Sequence, residues 1–375
     1  MIINFLWLIF GFTAFIQFFY LLVVFGKLSY FRQNNTDQPD QQLEGVSIII
    51  AARNEARNLE VLIPLLAQQN YEAFEILVIN DRSFDGTREV LAQLMIQYPQ
   101  LRTVTIDYTP AHVTPKKYAL TLGIKVAKYD VLVLTDADCL PATQDWVKLL
   151  TRPIRMQGKV FALGYGAYHK EKGFINALIR YETWFTAIQY FSFALWKAPF
   201  MGIGRNLAYR RQYFMDQKAF KGLWHILGGD DDLYVNRHAS RKNTAVVIDP
   251  RSITYSTPKK KFNDYFLQKQ RHYQAGRHYK AGAKIKIGIY ALSHLFFWAT
   301  ALVLICNIKA WELILLITVI ILARAVLQWS TFNQAVEKLE GKQKVMWTMF
   351  FDLMYLSYFW VIGAKGYLSK TVRWK

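Results

Sequence analysis

Three groups of acidic residues stand out by their spacing. Asp136 and Asp138 flank Ala137 directly after the apolar run DVLVLT. Two carboxylates at i and i+2 past a buried strand can reach one hard cation through oxygen, and Mg2+ or Mn2+ suits such a site. An ion held there would bridge a diphosphate and offset charge on a leaving group. The bland alternative is ordinary turn chemistry, since Asp is common after strands. In DRSFDGT, Asp85-Gly86-Thr87 reads as a turn and helix start. Asp81 differs, because it stands where a carboxylate can accept hydrogen bonds from a base or ribose. In GGDDDLYVNR, Asp230, Asp231 and Asp232 follow two glycines at a predicted helix start, where the helix dipole by itself favours acids.

The elements that must position these groups alternate. VSIIIA (46–51), EILVIN (75–80), LRTVTI (101–106) and DVLVLT (130–135) are strand-like, and the stretches near 56–69, 86–98 and 116–127 have helical spacing. The series predicts an α/β fold with a mostly parallel sheet covered on both faces. Open sheets of this kind bind ligands beyond the carboxyl ends of their strands. Arg53, Asn54 and Glu55, then Asp81 to Asp85, then Asp136 to Asp138 all fall at that edge. The less regular stretch 158–257 is expected to complete the sheet and wall the site. Within it, Phe174 to Trp196 is apolar, but Arg180 and Glu182 interrupt it, so a buried or interfacial helix is predicted rather than a span.

The ordered set VSIIIAARNE, NDRSFDGT, the KKYAL segment and TDAD resembles the family 2 glycosyltransferases, which have the GT-A fold and transfer sugars from nucleotide diphosphates. A looser resemblance extends through QKQRHY, so that about 46–275 is covered. The resemblance implies that Asp81 contacts the nucleotide base and that Glu55 lies beside the nucleoside. It further implies that Lys116 is near the donor, that Asp136 and Asp138 bind the metal, and that Asp138 is the direct ligand. It also places a catalytic base in an acidic motif at the Asp run. Aligning on Leu233 makes that base Asp230, and aligning on the first acid makes it Asp231. A carboxylate suits the task, because the acceptor hydroxyl loses its proton while attacking the anomeric carbon, giving inversion. Gln268, Arg271 and His272 resemble the Gln-x-x-Arg-Trp motif of membrane-bound members, with His272 in the Trp position, which disfavours processive polymer synthesis. Arg271 is matched to the diphosphate, with contact to anionic lipid as its alternative.

Composition frames the rest. The chain has 375 residues, 53% of them hydrophobic, and a net charge of +19. Nucleic-acid binding is one reading of that charge. However, nine Lys or Arg against the single acid Asp264 lie between Lys259 and Lys286, directly before an apolar segment. The positive-inside rule and attraction to anionic lipid account for such a run. No nucleic-acid partner is therefore expected. Two cysteines, Cys139 and Cys306, support neither a disulfide framework nor a cysteine metal site.

The predicted organisation is a transmembrane helix over 1–26, a linker over 27–44, a GT-A catalytic domain over 45–257 and a basic amphipathic interface segment over 258–286. Transmembrane or membrane-associated helices follow over 287–306, 311–332 and 345–363, then a basic tail over 364–375. A cytosolic middle domain followed by three spans would put Lys365, Lys370, Arg373 and Lys375 outside, against the charge rule, unless one late segment is interfacial or re-entrant. Arg324 and Asp352 fall inside apolar segments at comparable depth and predict an ion pair or polar floor.

These readings converge on single-sugar transfer from a UDP- or GDP-linked donor to a lipid or lipid-linked acceptor, at the cytosolic face of the cell (inner) membrane. A processive polysaccharide synthase and a non-catalytic nucleotide-binding regulator are the rivals.

Overall fold

A computed structural model of the chain describes residues 1–32, 44–341 and 348–368. The linker residues 33–43, the start of the last apolar segment at 342–347 and the tail residues Lys370, Arg373 and Lys375 lie outside them.

The chain begins with helix α1 (Ile2–Ser29), which contains a π-helical stretch at Tyr20–Phe25. Strands and helices then alternate: β1 (Val46–Ala52), α2 (Ala56–Ala67), β2 (Phe74–Asp81), α3 (Thr87–Gln97), β3 (Leu101–Ile106), α4 (Pro115–Val126) and β4 (Val131–Leu134). These four strands pair in parallel in the order β3-β2-β1-β4, with Val46 opposite both Phe74 and Val131. Period-2 alternation sends Ile48, Ile50, Ile76, Val78, Val131 and Val133 to a core under α2 and α3. Ile49, Leu77, Ile79, Leu132 and Leu134 go to the opposite core under α4. Gly123 lets α4 settle on that face, because a Cβ there would lie 2.4 Å from Ile79 Cδ1.

Past β4 come β5 (Cys139–Pro141), α5 (Trp146–Gln157), β6 (Phe161–Leu163), β7 (Gly166–Tyr168), α6 (Phe174–Leu195) and β8 (Leu207–Arg210). Then follow α7 (Arg211–Asp216), α8 (Asp232–His238), β9 (Thr244–Val246) and β10 (Thr254–Ser256). β8 pairs antiparallel with β4 and with β6, and β9 closes the seven-stranded sheet beside β6. A second sheet, β5-β10-β7, is entered from β4 through the turn at Asp136–Asp138.

α6 is buried along most of its length, as its two charges predicted. Glu182 Oε1 pairs with Lys269 Nζ at 3.1 Å and Arg180 Nη2 with Glu340 at 3.2 Å. Its aromatic rings pack on the apolar helices, with Phe185 4.9 Å from Tyr355 and 5.7 Å from Phe332 between ring centroids.

The last four helices are α9 (Phe262–Gly276), α10 (Ala281–Asn307), α11 (Trp311–Glu340) and α12 (Thr348–Leu368). Among the described residues three helices, α1, α10 and α11, are long and apolar enough to cross a membrane, and α12 has a shorter apolar stretch. α10 begins at Ala281, earlier than the apolar run alone suggested, so Lys284 and Lys286 ride on its first turns. α12 packs against α9, with Tyr358 stacked on Tyr265 at 5.9 Å. At its other end Asp352 Oδ2 meets Arg324 Nη1 at 2.9 Å, both fully buried. The expected ion pair thus forms. Gln17, Gln328 and His294 complete its hydrogen bonds at 2.8–3.2 Å and join α1, α10, α11 and α12.

Candidate active site

The site is built where β1, β2 and β4 end. Both β1 and β2 turn through a left-handed residue, Asn54 at φ 56° and Arg82 at φ 53°. The two following loops brace each other, because Asn54 N donates to Ser83 Oγ at 2.9 Å and Phe84 N donates to Asn54 Oδ1 at 3.0 Å. Asp85 is part of this bracing. It accepts from Thr87 N at 3.2 Å and from Ala56 N at 3.4 Å, which is the turn role expected of it.

After β4, Ala137 points into the core and leaves Asp136 half-buried and Asp138 exposed. One ligand atom each from Asp136, Asp138 and Cys139 falls within 4.8 Å of the others. Burial, with the charges of Asp136 and Asp138, pushes the pKa of the Cys139 thiol well up. It lies 3.4 Å from Asp138 Oδ1 and 3.0 Å from Ser256 Oγ. The two carboxylates offer oxygen donors, which fit a hard divalent cation.

Lys116, in the first turn of α4, reaches across. Its Nζ lies 2.9 Å from Asp136 Oδ1 and 3.1 Å from Asp230 Oδ2. Burial works against the ammonium, but Asp136, Asp230 and Asp231 hold its pKa well above the ordinary lysine value. Glu55 faces the same space. Burial and the nearby charges of Asp138, Asp136 and Asp85 raise its pKa against a 2.5 Å hydrogen bond from Asn58. Asp81 sits at the same edge, but its two oxygens accept from Arg82 at 2.7 and 3.2 Å.

The three acids at the start of α8 differ in what they touch. Gly228 and Gly229, at φ 73° and 72°, provide the two left-handed steps that aim the run, and a Cβ on Gly229 would lie 2.3 Å from Leu233 Cδ1. Buried Lys117 anchors this loop by donating to the carbonyls of Ile226, at 2.6 Å, and Gly228. Asp231 caps α8. It accepts from Asp232 N at 2.7 Å on one oxygen and from Gly204 N at 2.5 Å on the other. Asp232 accepts from Leu233 N and from the Tyr279 hydroxyl, both at 2.7 Å. Asp230 instead turns to Lys116. Burial would raise its pKa, but Lys116 and Lys117 hold it below the usual carboxylate value. Burial and the Asp230 charge push Asp231 up to about 6, and burial and the Asp231 charge push Asp232 up to about 8.

α9 supplies the outer rim. Gln268 Nε2 lies 3.4 Å from the Tyr168 hydroxyl, and burial lowers the pKa of Arg271. His272 has an exposed side chain; the surrounding protein and the charges of Lys269, Arg271, Arg205 and Lys116 lower its pKa. Arg205 escaped the sequence reading. Its guanidinium lies 4.5 Å over the Tyr168 ring and donates to Gly166 O at 2.7 Å, with Ser256 Oγ at 3.4 Å. The one sequence signal was an arginine between Gly204 and Asn206 in a glycine-containing stretch.

A mostly parallel sheet with an acidic pair at the end of a central strand, closed by antiparallel additions, is the GT-A architecture. It is shared with the mannosyltransferase PcManGT from Pyrobaculum calidifontis, solved in complex with GDP-Man and Mn2+. The two align with a TM-score of 0.58 at 17% identity, over 90% of this chain and 100% of that one. Residues 47–217 match the family model described as Glycosyl transferase family 2, and this part of the chain is a domain of that family. Glycosyltransferase AglE of Haloferax volcanii is 30% identical over 105 residues, which is 28% of this chain and 33% of that protein. Poly-beta-1,6-N-acetyl-D-glucosamine synthase of Staphylococcus epidermidis is 31% identical over 98 residues, 26% of this chain and 23% of that protein. The chain thus spans a third or less of the length of these curated relatives.

Proposed function

We propose that the protein is an inverting glycosyltransferase, moving a single sugar from a UDP- or GDP-linked donor to a lipid or lipid-linked acceptor. The observation that carries this is the Lys116 ammonium shared by Asp136 and Asp230, which joins a cation-binding acid to a candidate base across one cleft.

Asp138 and Asp136 are the residues that would hold Mg2+ or Mn2+, which when bound offsets negative charge gathering on a leaving nucleoside diphosphate. Lys116 and Arg271 supply fixed positive charge for the diphosphate oxygens. Glu55 and Asp81 flank the nucleoside, and Gln268 lines the outer rim. Asp230 is the favoured base, because it alone in the Asp run has no helix-capping contact and faces the cleft. Its low pKa reflects pairing with Lys116, a cation the donor diphosphate would also recruit. Asp231 has the better-matched pKa, but backbone amides take both its oxygens.

The lipid acceptor is supported by three helices long and apolar enough to span a membrane and by the basic, aromatic α9 beside the site. The same features support an integral protein of the cell (inner) membrane with its catalytic domain cytosolic. Repeated addition to a polymer is a second reading, favoured by the likeness to the polysaccharide synthase. His272, at the Trp position of membrane-bound polymer synthases, supports single transfer.

The test is to incubate the purified protein in lipid with a panel of nucleotide sugars and divalent ions, following nucleotide release with and without lipid extract. Metal-dependent release that lipid extract stimulates, with a product one sugar longer, is expected. A long polymer would favour the second reading. No release with any donor would overturn the enzymatic reading in favour of a nucleotide-binding regulator.

A further inference from the structure

A cavity of about 240 Å³ lies away from the acidic cleft, where α10 leaves the catalytic domain. One wall is apolar, from Phe193 in the last turn of α6 and Pro199 and Phe200 just after it. The other carries Lys280 and Lys286 on either side of the small residues Gly282 and Ala283. Lys280 Nζ already donates to Arg237 O at 2.7 Å, which leaves two of its three protons for another acceptor. Lys286 Nζ stands 5.9 Å from the centre of the Trp196 ring, and the Lys286 carbonyl accepts from the Tyr20 hydroxyl of α1 at 2.6 Å. Tryptophan, tyrosine and lysine gathered at the first turns of a long apolar helix form the signature of a membrane–water interface.

We infer that this cavity binds the phosphate group of an anionic membrane phospholipid. Two ammonium groups over small backbone-lined residues suit a phosphate, and the aromatic wall suits the first carbons of its lipid. The volume is below the ~300 Å³ of pockets that enclose whole ligands, so it takes a head group and leaves the tails to the bilayer. The cavity is also linked to the acidic run through neighbouring residues. Lys280 N donates to Asn236 Oδ1 of α8 at 2.8 Å, and the preceding Tyr279 holds Asp232. The inference rests on α10 being a membrane helix, but its readout is lipid binding and does not depend on sugar transfer.

The experiment uses the full chain in neutral detergent, titrated with phosphatidylglycerol or phosphatidylcholine, with bound lipid counted by native mass spectrometry. One phosphatidylglycerol should bind in preference to phosphatidylcholine. Lys280→Ala/Lys286→Ala should weaken it roughly thirty-fold, given the contribution of a lysine near an anionic surface. Ala283→Leu, which fills the cavity and keeps both charges, should weaken it as well, and Lys286→Arg should retain it. Replacing the exposed Lys259, Lys260 and Lys261 by Ala should change nothing at this site. Equal retention by the double variant or by Ala283→Leu would overturn the inference, as would equal binding of phosphatidylcholine. Displacement of the lipid by millimolar inorganic phosphate would also overturn it, assigning the cavity to a free anion. If the double variant fails to fold, Ala283→Leu and Lys286→Arg decide.

Discussion

Lys116 Nζ lies 3.1 Å from Asp230 Oδ2, the one carboxylate of the acidic run not committed to α8 or Tyr279. Asp230→Asn is therefore expected to lower kcat by about 10²–10⁴-fold, the range for a lost general base, with donor affinity little changed. Lys116→Met removes the charge that keeps the Asp230 pKa low, so the acid limb of the kcat profile should move to higher pH. Steady-state kinetics with donor titration calorimetry check both, and a donor-binding defect in Asp230→Asn would argue against the base assignment.

Asp138 is the exposed member of the acidic pair proposed to hold the metal, and its loss leaves Asp136 already paired with Lys116. Asp138→Ala should reduce turnover by about 10²-fold or more and abolish its dependence on divalent ions. Chelation of the wild type should produce the same state. Activity in Asp138→Ala that still responds to Mn2+ would move the ion elsewhere.

Asp232 has its pKa pushed up to about 8 by burial and by Asp231. The unfolded chain, with Asp232 near the ordinary carboxylate value, gives up this proton well before the folded one does. Folding is thus favoured by this group at low pH, and the advantage fades as pH rises from about 4 towards 8. Asp232→Asn holds a neutral group at every pH and keeps an acceptor for Leu233 N. Its melting temperature relative to wild type should rise steadily between pH 5 and pH 7.5. A pH-independent difference would show that Asp232 is charged in the folded protein.

Where sequence was informative, the cause was periodicity. Alternation along β1, β2 and β4 is preserved in the two cores, and the residues just past those strands meet because a parallel sheet brings its strand ends together. Arg180 and Glu182 likewise marked α6 as no span, and both have ionic partners. What sequence could not supply was side-chain direction at a helix start. Asp230, Asp231 and Asp232 are chemically identical in the chain, and only the φ of Gly228 and Gly229 and the distant groups Gly204 and Tyr279 separate them. Arg205 and Tyr168 were missed for a related reason. They meet through β7 and β10, strands of three residues too short to leave a periodic trace.

The Arg324–Asp352 pair is buried among apolar helices with every partner polar. Asp352→Leu leaves the guanidinium uncompensated and should destabilise the protein by about 3–5 kcal/mol. Arg324→Leu/Asp352→Leu should recover part of that loss. Thermal unfolding in detergent measures both, and a double variant as unstable as the sum of the single ones would show that the two residues act independently.

Glu340, the last residue of α11, accepts from the Tyr165 hydroxyl and from Trp184 Nε1, both at 2.7 Å, and from Arg180 at 3.2 Å. Tyr165 is in turn joined through its carbonyl to Asn206, one residue from Arg205. A helix long and apolar enough to cross a membrane is thereby bolted to the wall of the cleft rather than tethered to it by a swinging linker. With such a helix seated in a bilayer, the acids would stand at one fixed height above the lipid. If the proposed transfer to a lipid-borne acceptor holds, the protein would then act as a ruler, selecting acceptors by how far their reactive hydroxyl projects from the membrane surface.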